Sequence, residues 1–347
     1  MVLDRIGAPL RLRTVPVPKI GPNDALLRVR AVGVGLTVVI MTANPGRVTS
    51  FPRIPGHEVA GEVAEIGSEV THVRVGDRVT CHFYLTCGAC RFCRSGRETL
   101  CVAFRGYVGM ACDGAYAEYM AIPAANVTPI PSGVSDLDAA IAADAICTPY
   151  HACREEARIG PGDSVLIVGA GGGVGIHGVQ MAKLCGGWVV AADITDDKLA
   201  AAQECGADAL VDPRRGDLAT QVRSATDGRG VDAAIDFVAS RETLEGSLGS
   251  LARGGRLVII GSRPAAVFGE DARFSVDPGR MLYDMLEIHG SRYVTLTEIQ
   301  QTLELLRQRR IRAVVSRTFP LEGAEEAHAL LRKNALVGRA ALLLDAR

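Results

Sequence analysis

Aromatic side chains are scarce in this chain, with one Trp and only 5% Phe, Trp and Tyr among 347 residues. That supply disfavours the stacking platforms on which single-stranded nucleic acid is held. Charge of one sign is equally lacking: the formal net charge is -1, so no electrostatic footprint for nucleic acid or an anionic membrane surface is expected. No apolar run approaches membrane-spanning length, and the segment M-V-L-D-R-I-G carries no basic stretch followed by an apolar core. These absences leave the expectation of a soluble, cytoplasmic chain with room for about two domains and a substantial core. No internal repeat or low-complexity segment interrupts it.

Glycine, by contrast, is concentrated where it matters. Ser164 to Val168 is a short apolar, β-branched run of the kind that forms a buried parallel strand, and Ile176 to Leu184 follows with apolar residues at helical spacing. Between them lie Gly169, Gly171, Gly172, Gly173, Val174 and Gly175. A dinucleotide pyrophosphate must approach the backbone closely over the positive end of a helix, and a side chain there would obstruct it. The strict G-x-G-x-x-G pattern fails, because Val174 stands at its last position. The spacing that fits is Gly169, Gly172, Gly175. A second strand, Trp188 to Ala192, ends in Asp193, eighteen residues past Gly175, where a carboxylate can take the adenosine ribose hydroxyls. An acid at that position predicts NAD(H) rather than NADP(H).

Upstream, Leu10 to Val15 and Ala25 to Val34 have strand character, with Pro16, Pro18, Gly21, Pro22, Asn23 and Asp24 turning the chain between them. Val59 to Ile66, Asp77 to Thr80 and Tyr116 to Ile122 continue the pattern, so the first third reads as β-rich. From Ser135 an alanine-rich helix leads into an alternation of strands and helices, with further strands at Ala209 to Val211, Asp232 to Phe237, Arg256 to Ile260 and Glu287 to His289. That alternation predicts a doubly wound parallel sheet and an α/β fold class. A helix over Thr297 to Arg309 and a strand-like tail to Leu344 complete the chain.

Ten cysteines are present, but Cys87, Cys90, Cys93 and Cys101 fall in one short loop as C-x2-C-x2-C-x7-C. Four thiolates at this spacing suit a closed tetrahedral Zn²⁺ that is structural rather than catalytic.

Gly56 to Val70 reads G-H-E-V-A-G-E-V-A-E-I-G-S-E-V. With this segment, Gly76-Asp77-Arg78-Val79, the cysteine lobe, the glycine turn and Asp193, the chain resembles the zinc-dependent medium-chain dehydrogenase/reductases, the alcohol dehydrogenase family, over essentially its whole length. The resemblance implies a GroES-like catalytic domain over 1–148 and 288–347, with the zinc lobe at 84–104, and a Rossmann NAD-binding domain over 149–287. It implies homodimers or homotetramers and a small-molecule substrate, while the balanced charge argues against nucleic acid or membrane as partner. A catalytic zinc in that family takes a Cys, the His of G-H-E and a Cys, Asp or Glu from the linking helix. Here His57 and Asp144 match, whereas Gly35 stands where the Cys belongs and Val38 where an Asp is usual. Glu58, or one of Cys81 and His82, could supply the missing ligand. Thr37 matches the hydroxyl that passes the substrate proton, and Ile40 replaces the next relay group. Lys198 matches a Lys near the ribose, Arg339 in V-G-R-A-A matches the pyrophosphate Arg, and Ile260-Gly261-Ser262 would present backbone groups to the nicotinamide amide. Phe83 would line the substrate pocket, or belong to the core.

The activity so implied is NAD-dependent hydride transfer between an alcohol and its ketone or aldehyde. The eroded ligand set keeps open a reductase of an activated C=C or C=N bond without catalytic zinc, and a dinucleotide sensor without turnover.

Overall fold

Gly21 starts the first sheet by closing a turn: its N–H donates to the Asp24 carboxylate at 2.9 Å, and the chain leaves that turn as a long strand. The computed structural model describes residues 1–292 and 294–344; Tyr293 and residues 345–347 of the expected 288–347 segment lie outside the described residues. In chain order the strands are β1 (Asp24–Val34), β2 (Glu58–Ile66), β3 (Arg78–Cys81), β4 (Tyr119–Pro123), β5 (Val127–Pro129), β6 (Ser164–Val168), β7 (Trp188–Ala192), β8 (Ala209–Val211), β9 (Val231–Asp236), β10 (Leu251–Ile259), β11 (Glu287–Gly290), β12 (Val315–Phe319) and β13 (Arg339–Leu343). The chain divides into two compact units, residues 1–147 with the segment from 294 onward, and residues 148–293.

The first unit is built on a sheet ordered β12-β13-β1-β2-β3-β5, with β4 also paired to β1. β1 is its centre, antiparallel to β2, β4 and β13. Its apolar residues Ala25, Leu27, Val29, Ala31 and Val32 are buried, as a strand with partners on both edges requires. Leu10 to Val15 is not a strand: it contributes a single bridge, Val2 to Arg11. Leu12 is 56% and Val17 55% exposed, so these side chains have no apolar face to enter, and Pro16 and Pro18 lack the N–H groups a ladder needs. The C-terminal tail is not continuous strand either, because the helix Ala324–Arg332 stands between β12 and β13 and buries Ala324, Ala327 and His328. The helix expected at Thr297 to Arg309 runs Leu296–Arg307, fixed by a capping box between Thr295 and Glu298.

The second unit is an all-parallel sheet in the order β11-β10-β9-β6-β7-β8. The boundary expected at 287/288 cuts β11, which pairs with β10 from Glu287 to Gly290 and so stays in this sheet. Strand order reverses between β6 and β9, and the end of β6 at such a switch point is where a parallel sheet offers its crevice.

Candidate active site and metal lobe

The turn after β6 is shaped by backbone contacts that exclude side chains. Gly169 has a φ of 78°, and the N–H groups of Gly169 and Ala170 both donate to the Ala192 carbonyl, at 2.9 and 3.1 Å. Gly172 N–H returns to the Gly169 carbonyl at 3.0 Å, and the helix Gly175–Leu184 starts directly over it. A Cβ on Gly175 would collide with the Gly169 carbonyl oxygen, so the turn and the helix approach as closely as glycine allows. The Gly173 carbonyl accepts from His177 Nδ1 at 3.0 Å, and Val174 caps the helix.

Asp193 and Lys198 close on the same turn. Asp193 Oδ2 accepts from Gly171 N–H at 2.9 Å and Oδ1 from Ile194 N–H at 2.7 Å, while a Cβ on Gly171 would lie 2.7 Å from Lys198 Cα. Burial lowers the Lys198 pKa, and the neighbouring Asp193 opposes that shift. Each carboxylate oxygen retains a lone pair for a ribose hydroxyl, and the free N–H groups of the helix end suit a pyrophosphate. The residues present therefore fit NAD. Ile260 and Gly261 differ from expectation: both N–H groups donate to the Asp236 carbonyl, at 3.0 and 3.1 Å, so only carbonyls remain to meet a ligand there. Ser262 is exposed.

The cysteine lobe brings its four sulfurs within 4.8 Å of one another. Cys90 to Cys93 measures 3.5 Å and Cys87 to Cys93 3.9 Å, close to the roughly 3.8 Å edge of a tetrahedron with Zn–S bonds of about 2.3 Å. Cys87 and Cys90 N–H groups donate to the sulfurs of Cys101 and Cys87, each at 3.3 Å. N–H donors favour thiolates: they pull Cys90 down to about 6, whereas burial raises Cys93 to about 12. Zn²⁺ fits this donor set.

The third group lies in the first unit. His57 directly precedes β2 and Glu58 opens it, and Asp144 sits in the π turn Ala142–Ile146 that follows the helix Asp136–Ile141, a distortion that re-aims side chains and is frequent at functional sites. His57 Nε2 is 3.3 Å from Asp144 Oδ2 and 3.8 Å from Glu58 Oε1, and all three residues are buried. Phe83, 1% exposed, packs its ring 4.4 Å from the imidazole, so it forms the wall behind His57. Thr37 is half-buried in the first turn of the helix Leu36–Ala43, two residues beyond Gly35.

Arg339 is the correction. Its guanidinium is engaged inside the first unit rather than free for a pyrophosphate: Nε donates to Glu58 Oε2 at 3.1 Å, and Nη2 to Glu58 Oε1 and to Asp144 Oδ2, the latter at 3.3 Å. Register explains the placement, since Val34 pairs with Ala340 and the next residues along the two strands, Gly35 and Arg339, face each other. Burial lowers the Arg339 pKa to about 9, which leaves it cationic at neutral pH. Neither Cys81 nor His82 joins the cluster of ligand atoms that His57, Glu58 and Asp144 form among the described residues, and His82 Nε2 donates to the Val294 carbonyl at 3.0 Å. Although His57, Glu58 and Asp144 are near enough to share an ion, both carboxylates already hold a guanidinium and the thiolate position is a glycine. These residues do not fit a catalytic zinc. The sequence signal that could have found Arg339 is the pair Gly33 and Gly35 on the facing strand.

A doubly wound parallel sheet with a side-chain-free first turn defines a dinucleotide-binding fold. A family model for the alcohol dehydrogenase GroES-like domain matches residues 21–132, and one for zinc-binding dehydrogenases matches residues 173–308. An alcohol dehydrogenase of Geobacillus stearothermophilus is 33% identical over 346 residues, 99% of each chain. An L-threonine 3-dehydrogenase of Rhizobium rhizogenes is 35% identical over 81% of this chain and 79% of its own. Among solved structures, an NAD-dependent alcohol dehydrogenase superposes with a TM-score of 0.90 at 29% identity, covering 99% of both chains. The chain belongs to the zinc-type medium-chain dehydrogenase/reductases, with the GroES-like and Rossmann folds of that family, and is an NAD-dependent oxidoreductase.

Proposed function

We propose that the substrate pair is a small alcohol and its ketone or aldehyde. The observation that carries this reading is the buried hydrogen bond between His57 and Asp144, which gives the first unit an imidazole with a fixed orientation. NAD, when bound, supplies the hydride acceptor for the carbinol carbon. Asp144 orients the imidazole, the Thr37 hydroxyl accepts the substrate's O–H proton on oxidation, releasing it to solvent, and returns one on reduction, and Phe83 packs against the ring. The similarity to L-threonine 3-dehydrogenases makes secondary alcohols, amino alcohols included, the first to test.

Gly35 and Val38 favour a second reading, the reduction of an activated C=C or C=N bond. Reduction of an enone develops negative charge on an oxygen remote from the carbon that takes the hydride, and hydrogen-bond donors can stabilise it without a metal. A panel of secondary alcohols with NAD⁺, and of ketones and enones with NADH, separates the two by nicotinamide absorbance and product analysis. Alcohol oxidation and ketone reduction are expected. Saturation of the enone with every alcohol and ketone inert would replace the first reading by the second.

A further inference from the structure

We infer that the guanidinium of Arg339 takes the place of a catalytic metal ion in this chain, holding Glu58 and Asp144 in position and excluding zinc from the pocket beside His57. The inference rests on reading that pocket as the reaction site, but its test does not depend on turnover.

Three observations converge. The guanidinium reaches both carboxylates at once, two-pronged on Glu58 and single on Asp144, which is the planar fork that suits Arg and that a point charge cannot reproduce. The space it fills is the space a ligand side chain would need: a Cβ on Gly35 would collide with Arg339 Cζ, Nη1 and Nη2. The Glu58 carboxylate fills a second gap of the same kind, since a Cβ on Gly33 would lie 2.9 Å from Glu58 Cβ and Cδ. A thiolate at position 35 and the guanidinium in its present place are therefore mutually exclusive. Buried carboxylates need a cation, and an ion brought to the same oxygens would face a guanidinium at hydrogen-bond distance from both. Arg339 acts as a positioning residue: it fixes Asp144, and through Asp144 the orientation of His57. A guanidinium donates hydrogen bonds but offers no open coordination position, so charge on a substrate oxygen is met by donors rather than by a Lewis acid.

The experiment is zinc stoichiometry by elemental mass spectrometry on the purified chain, dialysed with and without supplementary zinc. One zinc per chain is expected in both conditions, and it should be lost when Cys87 and Cys101 are both changed to Ser. Arg339→Gln removes the cation and should let supplemented protein take a second zinc that Asp144→Asn in the same background abolishes. Two zincs in the native chain, the second lost on Asp144→Asn, would overturn the inference, as would a folded Arg339→Gln variant that gains none. Should Arg339→Gln not fold, the native stoichiometry decides alone. One zinc with no alcohol, ketone or enone turned over would leave the inference standing and remove the proposed function.

Discussion

Replacing Asp193 by Ala removes a carboxylate that works in two directions, and the two losses are read by different assays. Toward the protein, it accepts from the N–H groups of Gly171 and Ile194. The Gly171 bond is buried, and a buried donor left without an acceptor costs about 1–3 kcal/mol, enough to lower the melting temperature by a few degrees. Toward the cofactor, the carboxylate is the group placed to accept the ribose hydroxyls, and hydrogen bonds to a charged acceptor are worth about 1.5–3 kcal/mol each. At about 1.4 kcal/mol per tenfold, losing one of them weakens NADH binding by roughly ten- to a hundredfold, and losing two by roughly a hundred- to ten-thousandfold. The same substitution removes the negative charge that would repel a 2′-phosphate, so the variant's discrimination against NADPH should fall. The assay is fluorescence titration of NADH and NADPH against the native chain and the variant, with thermal melts alongside. An NADH Kd within about threefold of native, in a variant that melts lower as expected, would refute the placement of the ribose on Asp193.

His328 gives an acid-sensitive stability. Burial lowers its pKa from 6.5 to about 4 while its ring bonds the Tyr116 hydroxyl at 3.1 Å; between those values the unfolded chain carries the proton and the native chain does not, so stability falls as pH drops from 6.5 to about 4. The full difference is about 3 kcal/mol, and denaturant midpoints across that range should flatten in His328→Phe; an unchanged slope would reject the assignment. In the cysteine lobe, zinc removal by a chelator should expose the loop to alkylation, Cys87 first because it is exposed and Cys101 last because it is 7% exposed. Equal rates with and without metal, followed by mass spectrometry, would show that these thiols hold none. Gly175→Ala drives a Cβ into the Gly169 carbonyl, a backbone atom that cannot rotate away, so a loss of about 1–3 kcal/mol in stability with NADH affinity at least tenfold weaker is expected; native-like binding and melting would mean that the turn can relax.

Much of this was legible because it is written locally. β6, the glycine turn and the following helix occupy about twenty consecutive residues, and their change of period from apolar run to helical spacing is visible in them alone. The same holds for the cysteine loop, whose spacing fixes four sulfurs without any distant partner. What sequence could not show depends on pairing across the chain. Leu10 to Val15 has strand-like residues but no neighbour to pair with beyond one bridge, and β-propensity is a preference for a half-buried surface that this segment lacks. The helix Ala324–Arg332 is rich in Ala, Glu and Leu and buries Ala324, Ala327 and His328 at helical spacing, a local signal that a reading of the tail as strand passes over. The V-G-R pattern around Arg339 is local, yet its partners are some two hundred or more residues away and reach it only through the β1–β13 register.

That register makes Gly33, Gly35, Glu58 and Arg339 one feature rather than four, and it changes what a single substitution can do. Gly35→Cys supplies the thiolate that the family resemblance implies at this position, and on the ligand list alone it should recruit zinc. Its Cβ, however, would enter the guanidinium. Either Arg339 keeps its place and the strand end is strained, or it withdraws and leaves Glu58 and Asp144 buried without their cation. Both routes destabilise, the second by about 3–5 kcal/mol, as for a buried pair that loses one partner. The expected outcome is therefore a variant that melts lower than native and binds no additional zinc at neutral pH. Gly35→Cys combined with Arg339→Gln has room for the side chain and two carboxylates seeking a charge, and it should bind the ion and regain part of the lost stability in its presence. A single Gly35→Cys substitution that binds zinc at unchanged stability would show that the guanidinium moves freely and that the four residues are not coupled.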